Sequence, residues 1–153
     1  MLAEQQSALM AALAGKGPVP DGFDATRVGA AAAALAFKRA RGVAQAWPSL
    51  RAMLGDNFRT HFADYAATSA VPQQGGPLAD GRRFARYLAH RMPLGDAARM
   101  QAVALDATHR LTTAGLVPRR LPALRLAWLP RSRALLVAFG GRLFRYALPR
   151  RAR

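Results

Sequence analysis

The pattern of the sequence changes at Gly115, and this change is the strongest constraint on the fold. Before it, apolar side chains recur at helical spacing in segments separated by glycine and proline. After it, Pro118 and Pro122 exclude a long helix, because proline lacks a backbone N–H and clashes with the preceding turn. Residues 124–128 alternate apolar residues with arginine and alanine, the period of a half-buried strand. We therefore predict an α+β fold, an N-terminal helical bundle followed by a small C-terminal three-stranded antiparallel meander.

The strands of this meander follow from the same pattern. Residues 130–133 predict a turn, and Ala134–Phe139 is an apolar run of strand length. The pair Gly140-Gly141 is typical of a two-residue hairpin connection. Residues 143–148 then form the third strand, with Phe144 and Tyr146 on one face and Arg145 on the other. The predicted organisation is a helical domain at residues 1–115 and a basic β-meander subdomain at residues 116–153.

Aspartates and apolar stripes mark the predicted helices. The helices cover residues 1–13, 24–46 and 48–54, and three more follow, of which the last reaches about Thr113. Phe58, Phe62 and Tyr65 recur at i, i+4 and i+7, so we expect them in the core. Four aspartates stand where a helix would begin and are predicted N-caps: Asp24, Asp56, Asp80 and Asp96.

The charge is strongly basic and unevenly distributed. The 153 residues include 23 basic and 8 acidic side chains, a formal net charge of +15, while 52% are hydrophobic, too many for a disordered basic tail. Residues 107–153 contain eleven arginines and no carboxylate. Such a field attracts polyanions, acidic peptides or an acidic protein face. Because only Lys16 and Lys38 are lysine, the arginine content is equally consistent with the base composition of the genome.

No catalytic or metal-binding constellation is present in the sequence. The absence of cysteine removes disulfides, iron–sulfur clusters and thiol nucleophiles. His61 and Asp64 lie one helical turn apart, but His90 and His109 are distant in sequence, so no set of three ligands forms. No serine lies in a nucleophile elbow, and the glycine pairs match no nucleotide-binding motif. We expect a protein that is not an enzyme and that has no metal and no cofactor.

The sequence also bears on location. The N-terminal residues carry Glu4 and no positive region, so they predict no signal peptide. The alanine-rich run at residues 29–37 is too short to cross a bilayer. We expect a cytoplasmic protein without a membrane partner.

Two binding features remain. The basic turn formed by Lys38, Arg39 and Arg41 is a candidate partner-binding surface. The meander is a candidate peptide-binding site, because an extended peptide can add to an open sheet edge while arginines bind its acidic side chains. Arginines beside aromatic side chains also suit single-stranded nucleic acid. The candidate residues of this site are Arg125, Trp128, Arg142, Phe144, Arg145 and Tyr146.

Six short motifs occur in an order and spacing that resemble a bacterial family. They are Pro20-Asp21-Gly22-Phe23, Lys38-Arg39-Ala40, Ala46-Trp47-Pro48-x-Leu50, Leu54-Gly55-x-x-Phe58, Asp80-Gly81-x-x-Phe84-Ala85 and Leu129-Pro130-Arg131. The resemblance spans about residues 19–149. Members of that family are the small partner proteins, or fused C-terminal domains, of methanobactin-type multinuclear iron enzymes, and some are labelled as DNA-binding domains.

The resemblance implies an accessory role in peptide modification. In that family a separate iron enzyme oxidatively modifies cysteine in a ribosomally made peptide, and the partner protein receives the leader of the peptide on its C-terminal sheet. The implied partners are therefore a multinuclear iron enzyme and a precursor peptide leader, in a hetero-oligomer. The arginine-rich C-terminal region keeps nucleic acid as the alternative partner.

Overall fold

A computed structural model of the chain describes residues 2–13 and 17–148. Its helices are α1 (Leu2–Leu13), α2 (Ala25–Ala46), α3 (Pro48–Leu54), α4 (Phe58–Thr68), α5 (Gly76–Ala89) and α6 (Asp96–Thr108). Its strands are β1 (His109–Leu111), β2 (Leu116–Pro118), β3 (Arg125–Leu129), β4 (Ala134–Phe139) and β5 (Arg142–Ala147). The α+β fold and the C-terminal three-stranded antiparallel sheet are as predicted.

The core of the helical part is aromatic. Phe58, Phe62 and Tyr65 are all buried, which confirms the predicted stripe on α4. Phe84 of α5 contacts all three rings, with centroid distances of 5.2–5.7 Å. The Trp47 indole, between α2 and α3, is fully buried, and its Nε1 donates to the carbonyl of Leu78 at 3.0 Å. These contacts hold α2, α4 and α5 together.

Only one of the four predicted N-caps has that role. The Asp24 carboxylate accepts from the backbone N–H groups of Thr26 and Arg27 at the start of α2. Asp56 instead lies in a 3₁₀ turn, Gly55–Asn57, one residue before the helix cap. A 3₁₀ turn leads directly into α4, so the helix needs no aspartate at the position predicted.

The predictions for Asp80 and Asp96 as caps are also wrong. Helix α5 begins four residues before Asp80, because Gly75 takes a left-handed conformation and Pro77 occupies the first turn. Asp80 is therefore inside the helix and buried, where its carboxylate pairs with Arg39. Asp96 is the first residue of α6 rather than its cap, and its carboxylate accepts from a distant turn.

Helix α6 ends earlier than predicted, at Thr108 instead of about Thr113. His109 is already extended, with φ −127° and ψ 157°, and starts a short hairpin with β2. The turn closes when the Thr112 backbone N–H donates to the carbonyl of Gly115 at 2.7 Å. Gly115 has φ 141° and lies against the Gln74 backbone, so a side chain there would collide with it.

The three-stranded sheet has the order β3-β4-β5 and packs one face on α6. Leu129, Ala134 and Leu136 are fully buried on that face, with Met100 and Val103 of α6 packed against them. Strands β4 and β5 are joined at Gly140 and Gly141, both at positive φ, as the hairpin prediction requires. The sheet therefore has a buried inner face, which contacts α6, and an outer face directed away from it.

Candidate functional site

The outer face of the sheet is apolar although it is exposed. Cross-strand pairing places Trp128, Leu135 and Tyr146 in one row, with Leu135 as the central partner of both aromatic residues. Their exposed fractions are 44%, 39% and 58%. A second row contains Leu126 and Phe144 on either side of Val137. Exposed apolar patches of this kind mark interaction sites on protein surfaces.

Strand β5 is an open edge of this sheet. All six of its residues are exposed, so it contributes no side chain to the core. In a two-residue hairpin the closing pair, here Phe139 and Arg142, is hydrogen-bonded. The N–H groups of Leu143, Arg145 and Ala147 then point away from β4, towards an incoming strand. The Leu148 N–H continues this alternation, because it points to the β4 side and donates to the Arg133 carbonyl at 3.0 Å.

The structure divides the six predicted sheet residues between two faces. Trp128, Arg142, Phe144 and Tyr146 lie together on the outer face. The other two predicted residues, Arg125 and Arg145, lie in register with inner-face residues. The Arg125 Nε donates to the Asp106 carbonyl at 3.4 Å, beside α6. The outer face therefore contains four of the six residues and has Arg142 as its only charged strand residue.

Three further residues of the outer face were not among the six predicted site residues: Leu126, Leu135 and Phe139. All three are large, apolar and at least 39% exposed. The period-two alternation that placed Trp128 and Phe144 on a face applies to them equally, so the signal was present in the sequence.

The basic turn on α2 is also divided. Lys38 and Arg41 are exposed. Arg39, by contrast, has a side chain only 8% exposed, and its guanidinium forms two 3.0 Å hydrogen bonds with the Asp80 carboxylate. Lys38 and Arg41 therefore present the basic surface on this helix, while Arg39 connects α2 with α5.

Asp96 fixes the position of the sheet relative to α6. Its carboxylate accepts from the Ser132 backbone N–H at 2.7 Å and from the Ser132 hydroxyl at 2.5 Å. Partial burial raises the pKa of Asp96, but these bonds and the nearby Arg131 outweigh it and lower the pKa of this carboxyl below its usual value. The β3–β4 turn is thereby anchored to the first turn of α6.

The described residues contain no group of three or more histidine, aspartate or glutamate side chains that could hold a metal ion. Within the same part of the chain, no helix is long and apolar enough to cross a membrane. The site described above is thus an apolar and aromatic surface beside an open strand edge.

These features define a small helical domain that carries an exposed antiparallel sheet. Residues 3–90 match the family model described as "SCO6045-like, C-terminal domain", and the chain belongs to this family. It is similar to a UPF0276 protein of Streptomyces avermitilis, with 44% identity over 87 residues, which are 57% of this chain and 18% of that protein. The chain thus matches less than a fifth of the length of this relative. No solved structure matches the chain.

Proposed function

We propose that this chain is a non-catalytic partner protein that binds the leader of a ribosomally synthesised precursor peptide and presents it to a multinuclear iron enzyme for oxidative cysteine modification. The observation that carries the proposal is the exposed apolar outer face beside the open β5 edge. The part of the proposal that concerns the iron enzyme and the cysteine modification rests on the resemblance to partner proteins of such enzymes. That resemblance is carried by the ordered motifs from Pro20-Asp21-Gly22-Phe23 to Leu129-Pro130-Arg131.

Strand addition is the binding mode that this surface suits. An extended peptide paired with β5 would supply acceptors for the outward N–H groups of Leu143, Arg145 and Ala147. Its side chains would alternate between the two faces of the sheet. Those on the outer face would extend the apolar rows that end at Phe144 and Tyr146. Backbone pairing then supplies affinity, and the rows select apolar side chains at alternate positions.

The domain organisation of the relative supports a partner role. In the Streptomyces avermitilis protein, 82% of the chain lies outside the matched region. The family description also places this domain at the C-terminus of a longer protein. A domain that is fused to a larger protein in a relative can contact such a protein as a separate subunit. Lys38 and Arg41 are the residues proposed to contact the enzyme.

The alternative is a nucleic-acid-binding or regulatory protein. Trp128, Phe144 and Tyr146 lie on one face and could stack on bases. Binding of this kind also needs a positively charged groove along the backbone of the nucleic acid. The strands place only Arg142 on the outer face, so the charge lies elsewhere and the peptide is favoured.

The test is calorimetric titration of the full chain with a synthetic precursor-peptide leader. Arg145→Pro removes an outward N–H and leaves the β4 ladder in place, so affinity should fall roughly tenfold or more. Arg145→Ala is the matched control, because it removes the same charge and keeps the donor. Loss of an exposed ion pair should weaken binding less than about fivefold.

Equal affinities of the two Arg145 variants would show that β5 does not receive the peptide. An unlabelled oligonucleotide is titrated in parallel at about 150 mM salt, where electrostatic binding weakens steeply. Tight oligonucleotide binding without leader binding would support the alternative function. Elution of the chain with the iron enzyme on a size-exclusion column, reduced by substitution of Lys38 and Arg41, tests the enzyme contact separately.

A further inference from the structure

A cleft lies on the inner side of the sheet, between α5, α6, β1 and β3. Its volume is about 510 Å³. Among the three strands of the sheet, only β3 contributes to its lining, so the cleft opens beside the free edge of β3. Its walls carry six arginines, which come from five different segments of the chain: Arg82, Arg86, Arg99, Arg110, Arg119 and Arg125.

The positive charge of this cleft is not balanced within the described part of the chain. Asp106 is the only carboxylate in the lining. It is occupied by Arg82, whose Nε and Nη2 donate to its two oxygens at 2.9 and 2.6 Å. Six guanidinium groups against one carboxylate leave five positive charges. Since Arg99, Arg119 and Arg125 are half-buried, they have given up part of their hydration without gaining a carboxylate partner.

These three arginines are also held in position. The Nε of Arg119 donates to the Asp106 carbonyl at 3.0 Å, and the Nε of Arg125 donates to the same oxygen at 3.4 Å. The Nε of Arg99 donates to the Leu94 carbonyl at 3.1 Å. Each guanidinium is therefore fixed through its Nε, and its terminal Nη groups stay available as a planar pair of donors. Such forks match the oxygens of phosphate and carboxylate groups.

We propose that this cleft is a binding site for a compact, multiply charged phosphate, such as a triphosphate group. The size of the cleft decides between this ligand and an acidic peptide. Side chains on one face of an extended peptide are about 6.6 Å apart, so a cleft of about 510 Å³ can take only a few carboxylates of one peptide. That leaves most of the five charges uncompensated. A triphosphate places several negative charges within the same space.

The site is independent of the proposed peptide function. The apolar rows belong to the outer face of the sheet, whereas Arg125 and Ala127 line the cleft from the inner face. Leu94 and Val103 add an apolar wall beside the arginines. This wall is suited to a nucleoside attached to the phosphates, so the phosphate source is either free polyphosphate or a nucleotide.

The experiment is calorimetric titration of the full chain with sodium tripolyphosphate at about 150 mM salt, where long-range attraction is screened. We expect one site per chain. The double variant Arg99→Gln and Arg119→Gln should bind at least roughly tenfold more weakly, because it loses two charge-assisted donors. Arg120→Gln with Arg133→Gln is the matched control. It removes the same charge from exposed positions outside the cleft lining, and affinity should change less than about threefold.

The remaining outcomes either overturn the proposal or identify the source of the phosphate. No binding by the wild type, or equal weakening in both double variants, would show that the cleft is not a specific site. Amide chemical shifts of the wild type provide a readout that needs no variant, and changes outside residues 82–127 would place the phosphate elsewhere. ATP binding tighter than tripolyphosphate identifies a nucleotide, and equal affinities identify the phosphates alone. A Glu-rich hexapeptide that binds more tightly than either would replace phosphate with an acidic peptide.

Discussion

Arg39 and Asp80 form a bidentate ion pair between α2 and α5, with both hydrogen bonds 3.0 Å long. The two side chains are 8% and 4% exposed, so the pair is shielded from water. The Tyr65 hydroxyl donates to the same carboxylate at 2.8 Å. Burial and the Asp80 charge raise the pKa of Tyr65 well above its usual value, so the phenol keeps its proton and remains a donor. Three helices thus meet at one carboxylate.

Removal of one charge from this pair should be costly. We expect Asp80→Asn to lower the free energy of unfolding by about 3–5 kcal/mol, because Arg39 would remain buried without a counter-charge. The double variant Arg39→Met with Asp80→Asn should cost less than the sum of the single variants. Urea denaturation of all four proteins measures the coupling, and additive effects would show that the pair contributes nothing of its own.

A side chain at position 81 should destabilise the helical core, because Gly81 lies directly against Trp47. A Cβ at this position would overlap the Trp47 indole. We expect Gly81→Ala to lower the free energy of unfolding by about 1–3 kcal/mol, as overpacking in a core does. Gly29→Ala is the matched control in α2, where a Cβ meets nothing within 4 Å. It should stabilise the chain by up to about 1 kcal/mol, because alanine has the higher helix propensity. Thermal unfolding distinguishes the two, and equal shifts would contradict the contact with Trp47.

Alanine substitutions of the adjacent leucines of β4 should differ in their effect on stability, because the two side chains lie on opposite faces of the sheet. Leu136 is fully buried against α6, whereas Leu135 is 39% exposed on the outer face. Leu136→Ala should cost about 2–5 kcal/mol of stability. Leu135→Ala should cost less than about 1 kcal/mol, because it leaves no cavity. Urea denaturation followed by circular dichroism measures both changes in stability, and the reverse order of the two variants would mean that the faces are assigned wrongly.

The stability of the chain should depend on pH through the carboxyl group of Asp96. Its pKa is lower in the folded chain than in the unfolded chain, so the native state favours the carboxylate. Its contribution is therefore complete above the unfolded-state pKa and is lost as pH falls through the folded-state pKa. Asp96→Asn should destabilise the chain at neutral pH by about 1 kcal/mol and flatten the acid limb of its stability profile. Identical profiles of the variant and the wild type between about pH 2 and 7 would refute this role.

The sequence predicted local features well, because local chemistry determines them. The cap at Asp24, the aromatic stripe on α4 and the Gly140-Gly141 hairpin each depend on residues within a few positions of one another. The predicted second strand, Ala134–Phe139, agrees with the structure at both ends. The alternation also placed Arg145 opposite Phe144 and Tyr146 correctly.

The predictions that failed depend on partners distant in sequence. Asp80 resembles a helix cap until Arg39, 41 residues away, is placed beside it. Asp96 interacts with Ser132, which is 36 residues away. The alternation in β3 was predicted, but Leu126 and Trp128 face solvent, whereas Ala127 packs towards α6. Period alone cannot decide which side of a strand a helix will cover, and the small alanine side permits the closer approach.

The exposure of all six β5 residues has a consequence for any ligand that pairs with this strand. The strand is retained on β4 without burying a residue in the core, so its local opening requires less free energy than unfolding of the whole chain. A strand-adding peptide recognises only molecules in which β5 is docked. Its apparent affinity is the intrinsic affinity multiplied by that docked fraction. Amide hydrogen exchange at Arg142, Phe144 and Tyr146, whose N–H groups point to β4, reports this population. Changes in the hairpin would therefore tune peptide affinity without touching a contact residue.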